Sequence, residues 1–270
     1  MSDYPPITSL QNERVKLARR LLEKRYRQQL KRLVVNYSRD LAHAINHSYE
    51  IDYVFVCDTF VTSEDQRTLD QISNAQIFNV TENVMAKVNY RENPTGLLAV
   101  LHQPDPLRLE DISPDVDRIL VLTALNKPGN IGALLRTADG AGFKSVLLVD
   151  TALDLYNPNI IRSSTGACFL GNIAVTDGIG AIDFLRRRSY RLIAGHLKGR
   201  TNLFDTNLLG RIAVVMGTEE TGLTDEWTDW CDVHLQIPMA GQLIDSLNVS
   251  VAGAIIMYET LRQHAANDHT

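Results

Sequence analysis

Within residues 1–40, Val15, Ala18, Leu22, Tyr26, Leu30 and Leu33 recur at spacings of three and four, which predicts one helix with a single apolar stripe. A second helix-like stretch, SRDLAHAINHSYE, leads into YEIDYVFVCDTF (49–60), and this run, AQIFNVT (75–81) and GLLAVLH (96–102) read as short buried strands. The next segment, QPDPLRLEDISPDVD (103–117), is rich in proline and acid with almost no periodicity, and reads as a linker. Beyond it strands and helices alternate. DRILVLTAL (117–125), KSVLLVD (144–150), YRLIAGHL (190–197) and RIAVVMG (211–217) are continuous apolar strands. NIGALLRTADGAG (130–142), AIDFLRRRSY (181–190) and VSVAGAIIMYETLRQH (249–264) are helices. Apolar strands separated by helices predict an α/β domain whose parallel sheet is covered on both faces. The expected organisation is a small domain over 1–102, a linker over 103–117 and a larger α/β domain over 118–270.

The 270 residues are 44% hydrophobic and 22% charged, ordinary globular composition. Cys57, Cys168 and Cys231 lie far apart with no C-x-x-C pair, which argues against a zinc site or a disulfide framework. No apolar run is long enough to span a bilayer and the N-terminus lacks a signal-peptide pattern, so a cytoplasmic protein without membrane contact is expected. The net charge of −5 points away from nucleic acid until it is located. Residues 1–40 hold ten basic side chains against four acidic ones, a net +6 that leaves −11 on the remaining 230. Charge alone favours the plain reading, a solvated face of a packed helix, over nucleic-acid contact.

The chain lacks a Walker A loop, and Gly178-Ile179-Gly180 is followed by Asp183 where a dinucleotide fingerprint needs glycine. His43 and His47 share a helix face but no third ligand is apparent, so no metal is expected. Three clusters that each follow a strand are more informative. The first is Asn126-Lys127-Pro128-Gly129-Asn130, a tight turn with Asn130 able to cap the helix and Arg136 six residues on. The second is Met216-Gly217-Thr218 with the acidic pair Glu219-Glu220; its glycine lets a ligand approach the backbone. The third runs from Ile237-Pro238-Met239 to Ser246-Leu247-Asn248 at the start of the last helix. Each cluster alone is as readily a turn or a cap. Three at the carboxyl ends of one sheet, where open α/β folds bind ligands, point to a site.

These clusters resemble the three motifs of the SpoU/TrmH branch of the SPOUT RNA methyltransferases. PGNIGALLRTADGAG matches the first, VVMGTEETGL the second and IPMAGQLIDSLNVSVAGAIIMYE the third. With the TSLQNERVK opening, the resemblance covers nearly the whole chain. It implies methyl transfer from S-adenosylmethionine to a ribose 2′-hydroxyl, a catalytic domain with a trefoil knot, and a small α/β substrate-binding domain ahead of it. It also implies catalytic roles for Asn130, Arg136, Glu219, Ser246 and Asn248, and cofactor contacts around Met216, Gly217, Ile237, Met239 and Leu247. The chain departs from the family at Val35-Asn36-Tyr37-Ser38-Arg39-Asp40, where related N-terminal domains carry a Val-Glu-Gly-x-x-Glu-like string. Thr218 likewise fills a place commonly held by Asn or Ser.

Because a guanidinium stays protonated, Arg136 reads as a clamp on phosphate and a stabiliser of developing alkoxide rather than as a base. Arg19, Arg20, Lys24 and Arg27 are the expected RNA contacts. On the last helix, Leu247, Val251, Ile255, Tyr258 and Leu261 form an apolar stripe that burial within one subunit or a homodimer explains equally well. The resemblance favours the homodimer. The leading expectation is a ribosomal RNA 2′-O-methyltransferase. A transfer RNA enzyme is the nearer alternative, and a catalytically silent RNA-binding dimer the one from another class.

Overall fold

The basic N-terminal segment forms two helices rather than one, α1 (Glu13–Arg20) and α2 (Lys24–Leu30). They are followed by β1 (Arg32–Val35), α3 (Ser38–Asn46), β2 (Ile51–Val56), α4 (Ser63–Leu69), β3 (Gln76–Asn79), α5 (Glu82–Val88) and β4 (Leu97–His102). Next come β5 (Arg118–Thr123), α6 (Pro128–Gly140), β6 (Ser145–Val149), α7 (Pro158–Ser163), β7 (Ile173–Thr176), α8 (Gly178–Arg187) and β8 (Arg191–Gly195). The chain ends with β9 (Thr201–Asn202), β10 (Ile212–Met216), α9 (Asp225–Trp230), β11 (Val233–Gln236) and α10 (Val249–Asn267). The structure is a computed structural model that describes residues 6–90, 93–195, 199–219, 221–243 and 246–267. Its two compact units comprise residues 1–105 with 154–170, and residues 106–153 with 171–270.

The first unit is built on a four-stranded sheet in the order β1-β4-β2-β3, antiparallel except for the parallel pair β2 and β3. Val15, Ala18 and Leu21 pack with Val34, Phe55, Val84, Met85 and Val100 in its core. The helix break at residues 21–23 resets the phase of the expected stripe. Leu21 is buried, Leu22 and Tyr26 are half-buried, and Leu30 is exposed. Lys31, in the left-handed region at φ 51°, ends α2 and turns the chain into β1. Residues 154–170 join this unit through side chains far away in sequence. Tyr49 meets Phe169 edge-on at 5.0 Å between ring centroids, and the Tyr49 and Tyr156 hydroxyls lie 3.0 Å apart.

The second unit is an all-parallel seven-stranded sheet in the order β7-β6-β5-β10-β8-β11-β9. β5, β6 and β7 step outward in one direction, while β10 lies on the other side of β5. That reversal creates a crevice at the carboxyl ends of β5 and β10. The unit's core includes Ile119, Val121, Leu147, Ala213, Val215 and Trp227. Residues 106–117, expected as linker, belong to this unit. Ile112 and Val116 are buried in its core, and the Ile112 carbonyl accepts from Arg188 Nη1 at 2.6 Å. The prolines leave room only for a single 3-10 turn, Leu109–Asp111, and a bridge from Leu107 to Ala174, without preventing close packing.

Candidate active site

All three clusters meet at the carboxyl edge of the seven-stranded sheet, the first after β5, the second after β10 and the third after β11. The first is not a turn that precedes a helix. α6 begins at Pro128, which suits the first helical position because it lacks an N–H, and Lys127 occupies the capping place. Asn130 is therefore inside the first helical turn, and its side chain is available for the neighbouring loop. After β10, Gly217 approaches the backbone of the hairpin formed by Thr218 and Gly222. A Cβ at Gly217 would lie 2.7 Å from the Leu223 nitrogen and closer still to the Gly222 carbonyl. Glu220 lies outside the described residues.

Asn248 ties the loops together. Its Nδ2 donates to Asn130 Oδ1 at 3.3 Å and to Glu219 Oε1. Its Oδ1 accepts from the Ser250 N–H at 3.0 Å and Ser250 Oγ at 2.6 Å, so it also caps the start of α10. The other Glu219 oxygen, Oε2, accepts from Lys127 Nζ. The Asn130 amide nitrogen is buried and directed at the same carboxylate without closing a well-formed hydrogen bond. The hydrogen bond from Lys127 holds the Glu219 carboxyl below its ordinary value; Asn130 and the Val249 N–H add to this against a smaller opposing effect of burial.

Beside this network is a cavity of about 470 Å³. All five expected cofactor contacts, Met216, Gly217, Ile237, Met239 and Leu247, line it, together with Ser246 and Glu219. Leu235 and Ile256 extend its apolar wall, and Asp225 adds a second carboxylate. The size and mixed lining suit a small organic ligand, and the Asp225 carboxylate suits one with a cationic group. A second cavity of about 170 Å³ adjoins it, lined by Asn126, Lys127, Asn130, Thr218, Glu219 and Thr221.

Arg136 is not part of the network. It is exposed and makes no hydrogen bond or ion pair among the described residues. Six residues along α6 turn it roughly 240° from Asn130. Its flank, shared with Gly140 one turn later, faces α10, since a Cβ on Gly140 would lie 3.2 Å from the Tyr258 hydroxyl. The α10 stripe named from the sequence is also not internal. Val251 and Tyr258 are exposed and Leu247, Ile255 and Leu261 half-buried, whereas Val249, Gly253, Ile256 and Met257 face inward.

In the first unit, Arg19, Arg20 and Lys24 are exposed. Arg27 is not: 1% exposed, it pairs through Nε with Asp154 Oδ2 at 2.5 Å and donates from Nη1 to the Leu21 carbonyl at 2.7 Å. A buried guanidinium with its charge matched offers nothing to RNA, which corrects its expected role. Arg20 and Arg25 lie over the Tyr26 ring at 5.6 and 4.7 Å from its centroid, a cationic and aromatic surface that the stripe pattern did not reveal. At the family departure, Asn36 Nδ2 donates to Asn89 Oδ1 at 3.1 Å.

Cys168 and Cys231 are buried, with thiols pushed up to about 12 by burial, which removes them as nucleophiles near neutrality. Among the described residues no group of three His, Cys, Asp or Glu side chains is placed to hold a metal, and no helix is long and apolar enough to cross a membrane. Lys127 and Thr221 are site residues to which the motifs assign no role. Lys127 falls within the first cluster, where Pro128-Gly129 reads as a turn and hides it.

An open parallel sheet with a cavity beyond the carboxyl ends of β8, β10 and β11 and three convergent loops defines an α/β protein with a small-molecule site at its sheet edge. The chain belongs to the SpoU rRNA methylase family, which matches residues 117–258, and residues 12–99 match the MRM3-like substrate binding domain. It is 26% identical to the 23S rRNA (guanosine(2553)-2′-O)-methyltransferase RlmP of Bacillus subtilis over 93% of this chain and 97% of that protein. It is 30% identical to the 23S rRNA (guanosine-2′-O-)-methyltransferase RlmB of Xylella fastidiosa, covering 82% and 94%. A crystal structure of an RNA 2′-O ribose methyltransferase superposes with a TM-score of 0.86 at 34% identity, over 97% of this chain and all of the other. An AdoMet-bound rRNA methyltransferase from Sinorhizobium meliloti superposes with a TM-score of 0.84 at 25% identity, covering 96% and 97%.

Proposed function

We propose that this protein transfers a methyl group from S-adenosylmethionine to a ribose 2′-hydroxyl of ribosomal RNA in the cytoplasm, acting as a homodimer. The observation that carries the reading is the Asn130–Asn248–Glu219–Lys127 network at the mouth of the larger cavity. The substrate-binding domain match and the ribosomal relatives favour ribosomal over transfer RNA.

Met216, Gly217, Ile237, Met239 and Leu247 would hold the cofactor, with Asp225 facing its cationic groups. When bound, S-adenosylmethionine supplies a sulfonium methyl that is already electrophilic. The protein's own work is then alignment and charge control. Ser246, on the wall of the cavity, orients the target nucleotide. Asn248 locks the third loop to the first two, so that one side chain fixes the relative position of all three. Glu219, ionised and doubly engaged, organises the site and takes no proton.

Arg136 completes the site from the partner protomer. Its exposed flank lies beside the unpartnered apolar stripe of α10, so closing that stripe against a second copy would also remove Arg136 from solvent. There the protonated guanidinium stabilises negative charge on the ribose oxygen as the hydroxyl proton passes to bulk water and the methyl group leaves sulfur for oxygen. The knotted path of the chain is part of the same proposal.

Methyl-labelled cofactor, purified protein and protein-free 23S ribosomal RNA should yield label on a ribose 2′-oxygen at a defined nucleotide. Label on a base, or on transfer RNA alone, would refute the assignment. Mixing Arg136→Ala chains with Glu219→Gln chains should restore roughly a quarter of wild-type activity, because half the dimers then hold one intact site. No recovery in mixed dimers means that Arg136 acts within its own chain.

A further inference from the structure

The geometry points to the cavity of about 170 Å³ as the seat of an RNA backbone phosphate, with Lys127 as its counter-ion, which rests on the RNA methyltransferase reading above. Lys127 sits at the start of α6 with its side chain 62% exposed, and no side chain caps the helix there. A lysine is an unfavourable choice at this end, where the helix dipole is positive and Asp, Asn, Ser or Thr would satisfy the free N–H groups. Its presence is explained by what lies on either side of it. Towards the cofactor cavity it meets Glu219 Oε2; towards the smaller cavity it forms the wall with Asn126 and Asn130.

A carboxylate on the same wall would ordinarily repel a phosphate. Here both Glu219 oxygens are engaged, one by Lys127 and one by Asn248, so an anion in the smaller cavity meets the Lys127 ammonium rather than a bare carboxylate. The rest of the lining supplies the Asn126 amide and the Thr218 and Thr221 hydroxyls, which lie 2.7 Å from each other, so that one donates to the other and the second is left to donate outward. Thr218, Glu219 and Thr221 border both cavities, so an anion in the smaller one sits directly beside whatever occupies the larger one. For an enzyme that presents a ribose hydroxyl to a methyl donor, the group covalently next to that ribose is a phosphodiester. Lys127 is thus a binding residue for the substrate, added to the five polar positions that the motifs supply.

The test uses the full-length Lys127→Met and Lys127→Arg proteins and protein-free 23S ribosomal RNA. RNA binding is measured across a potassium chloride series and S-adenosylmethionine binding by calorimetry. Lys127→Met should weaken RNA binding several-fold and reduce the slope of log K against log salt by about 0.7 to 0.9, the loss of one phosphate contact. Lys127→Arg should keep the slope, and cofactor affinity should be unchanged in both. An unchanged slope with lost turnover would mean that Lys127 only positions Glu219. Lost cofactor affinity would mean that the anion is the cofactor's own carboxylate. Either result overturns the proposal, and both differ from a wild-type protein that methylates no RNA, which would sink the parent reading instead.

Discussion

Replacing Arg27 should damage the fold of the first unit and not its affinity for RNA. The guanidinium is 1% exposed and Asp154 is 8% exposed, joined at 2.5 Å, with the remaining Asp154 oxygen accepting from the Tyr156 N–H at 3.0 Å. Arg27→Met strands a buried carboxylate and removes a donor from the Leu21 carbonyl. Breaking one side of such a pair costs about 3–5 kcal/mol. That is a large share of the ~5–15 kcal/mol that holds a typical domain together. Arg27→Met with Asp154→Leu removes both charges and should recover most of the loss, because an apolar replacement of a buried pair is often neutral. Both tryptophans, Trp227 and Trp230, lie in the other unit, so their fluorescence is blind to this transition. Hydrogen exchange at the amides of β1, β2 and β4 is the suitable readout, alongside RNA binding by the same variants. A loss of stability below about 1 kcal/mol in Arg27→Met, with RNA affinity falling as it does in Arg20→Ala, would refute the reasoning.

Two further outcomes follow from the second unit. Gly217→Ala places a methyl group against the Gly222–Leu223 backbone, which cannot yield as a side chain would, so S-adenosylmethionine affinity measured by calorimetry should fall at least about tenfold. Wild-type affinity would contradict the close approach seen there. The depressed Glu219 carboxyl gives a pH prediction: its ionised form stabilises the site above the ordinary carboxylate range, and that contribution disappears as pH falls through the depressed value. Methylation between about pH 6 and 9 should therefore show no limb belonging to Glu219, and Glu219→Gln should lower the rate by a constant factor across that window. A limb that vanishes in the variant would make Glu219 a proton-transfer group.

The catalytic unit was largely readable because its strands are buried on both faces. Such strands are continuous apolar runs, and the loops at their ends carry the polar chemistry undiluted. Local pattern reading fails where a residue's fate is decided by a partner far away in sequence. Residues 154–170 follow β6 without a break in character, yet Tyr156 and Phe169 pack on Tyr49 and Asp154 answers Arg27, so the segment belongs to the first unit. The start of α6 was misjudged because Pro128-Gly129 is equally a turn and a first helical turn, and the choice between them hid Lys127. Arg136 lies on the same helix as Asn130, but the run of residues alone does not reveal that it turns roughly 240° away from it.

The same distinction changes what the net +6 of the first forty residues means. Arg27 is neutralised by Asp154, Lys16 lies 2.9 Å from Glu13, Arg32 lies 3.1 Å from Asp52, and Arg39 is paired with Asp40. The Lys16 and Arg32 pairs are open to solvent, so they are weak and a phosphate can compete for their cations, whereas Arg27 and Arg39 cannot turn outward without abandoning a buried carboxylate. A charge count treats all ten cations alike; burial separates them. The other six cations, Arg14, Arg19, Arg20, Lys24, Arg25 and Lys31, are all exposed, and Tyr26 lies under the guanidinium groups of Arg20 and Arg25. That combination of cation and ring suits unpaired bases as well as phosphates. The helix break at residues 21–23 produces it, because a single continuous helix would have kept Tyr26 on the inward stripe.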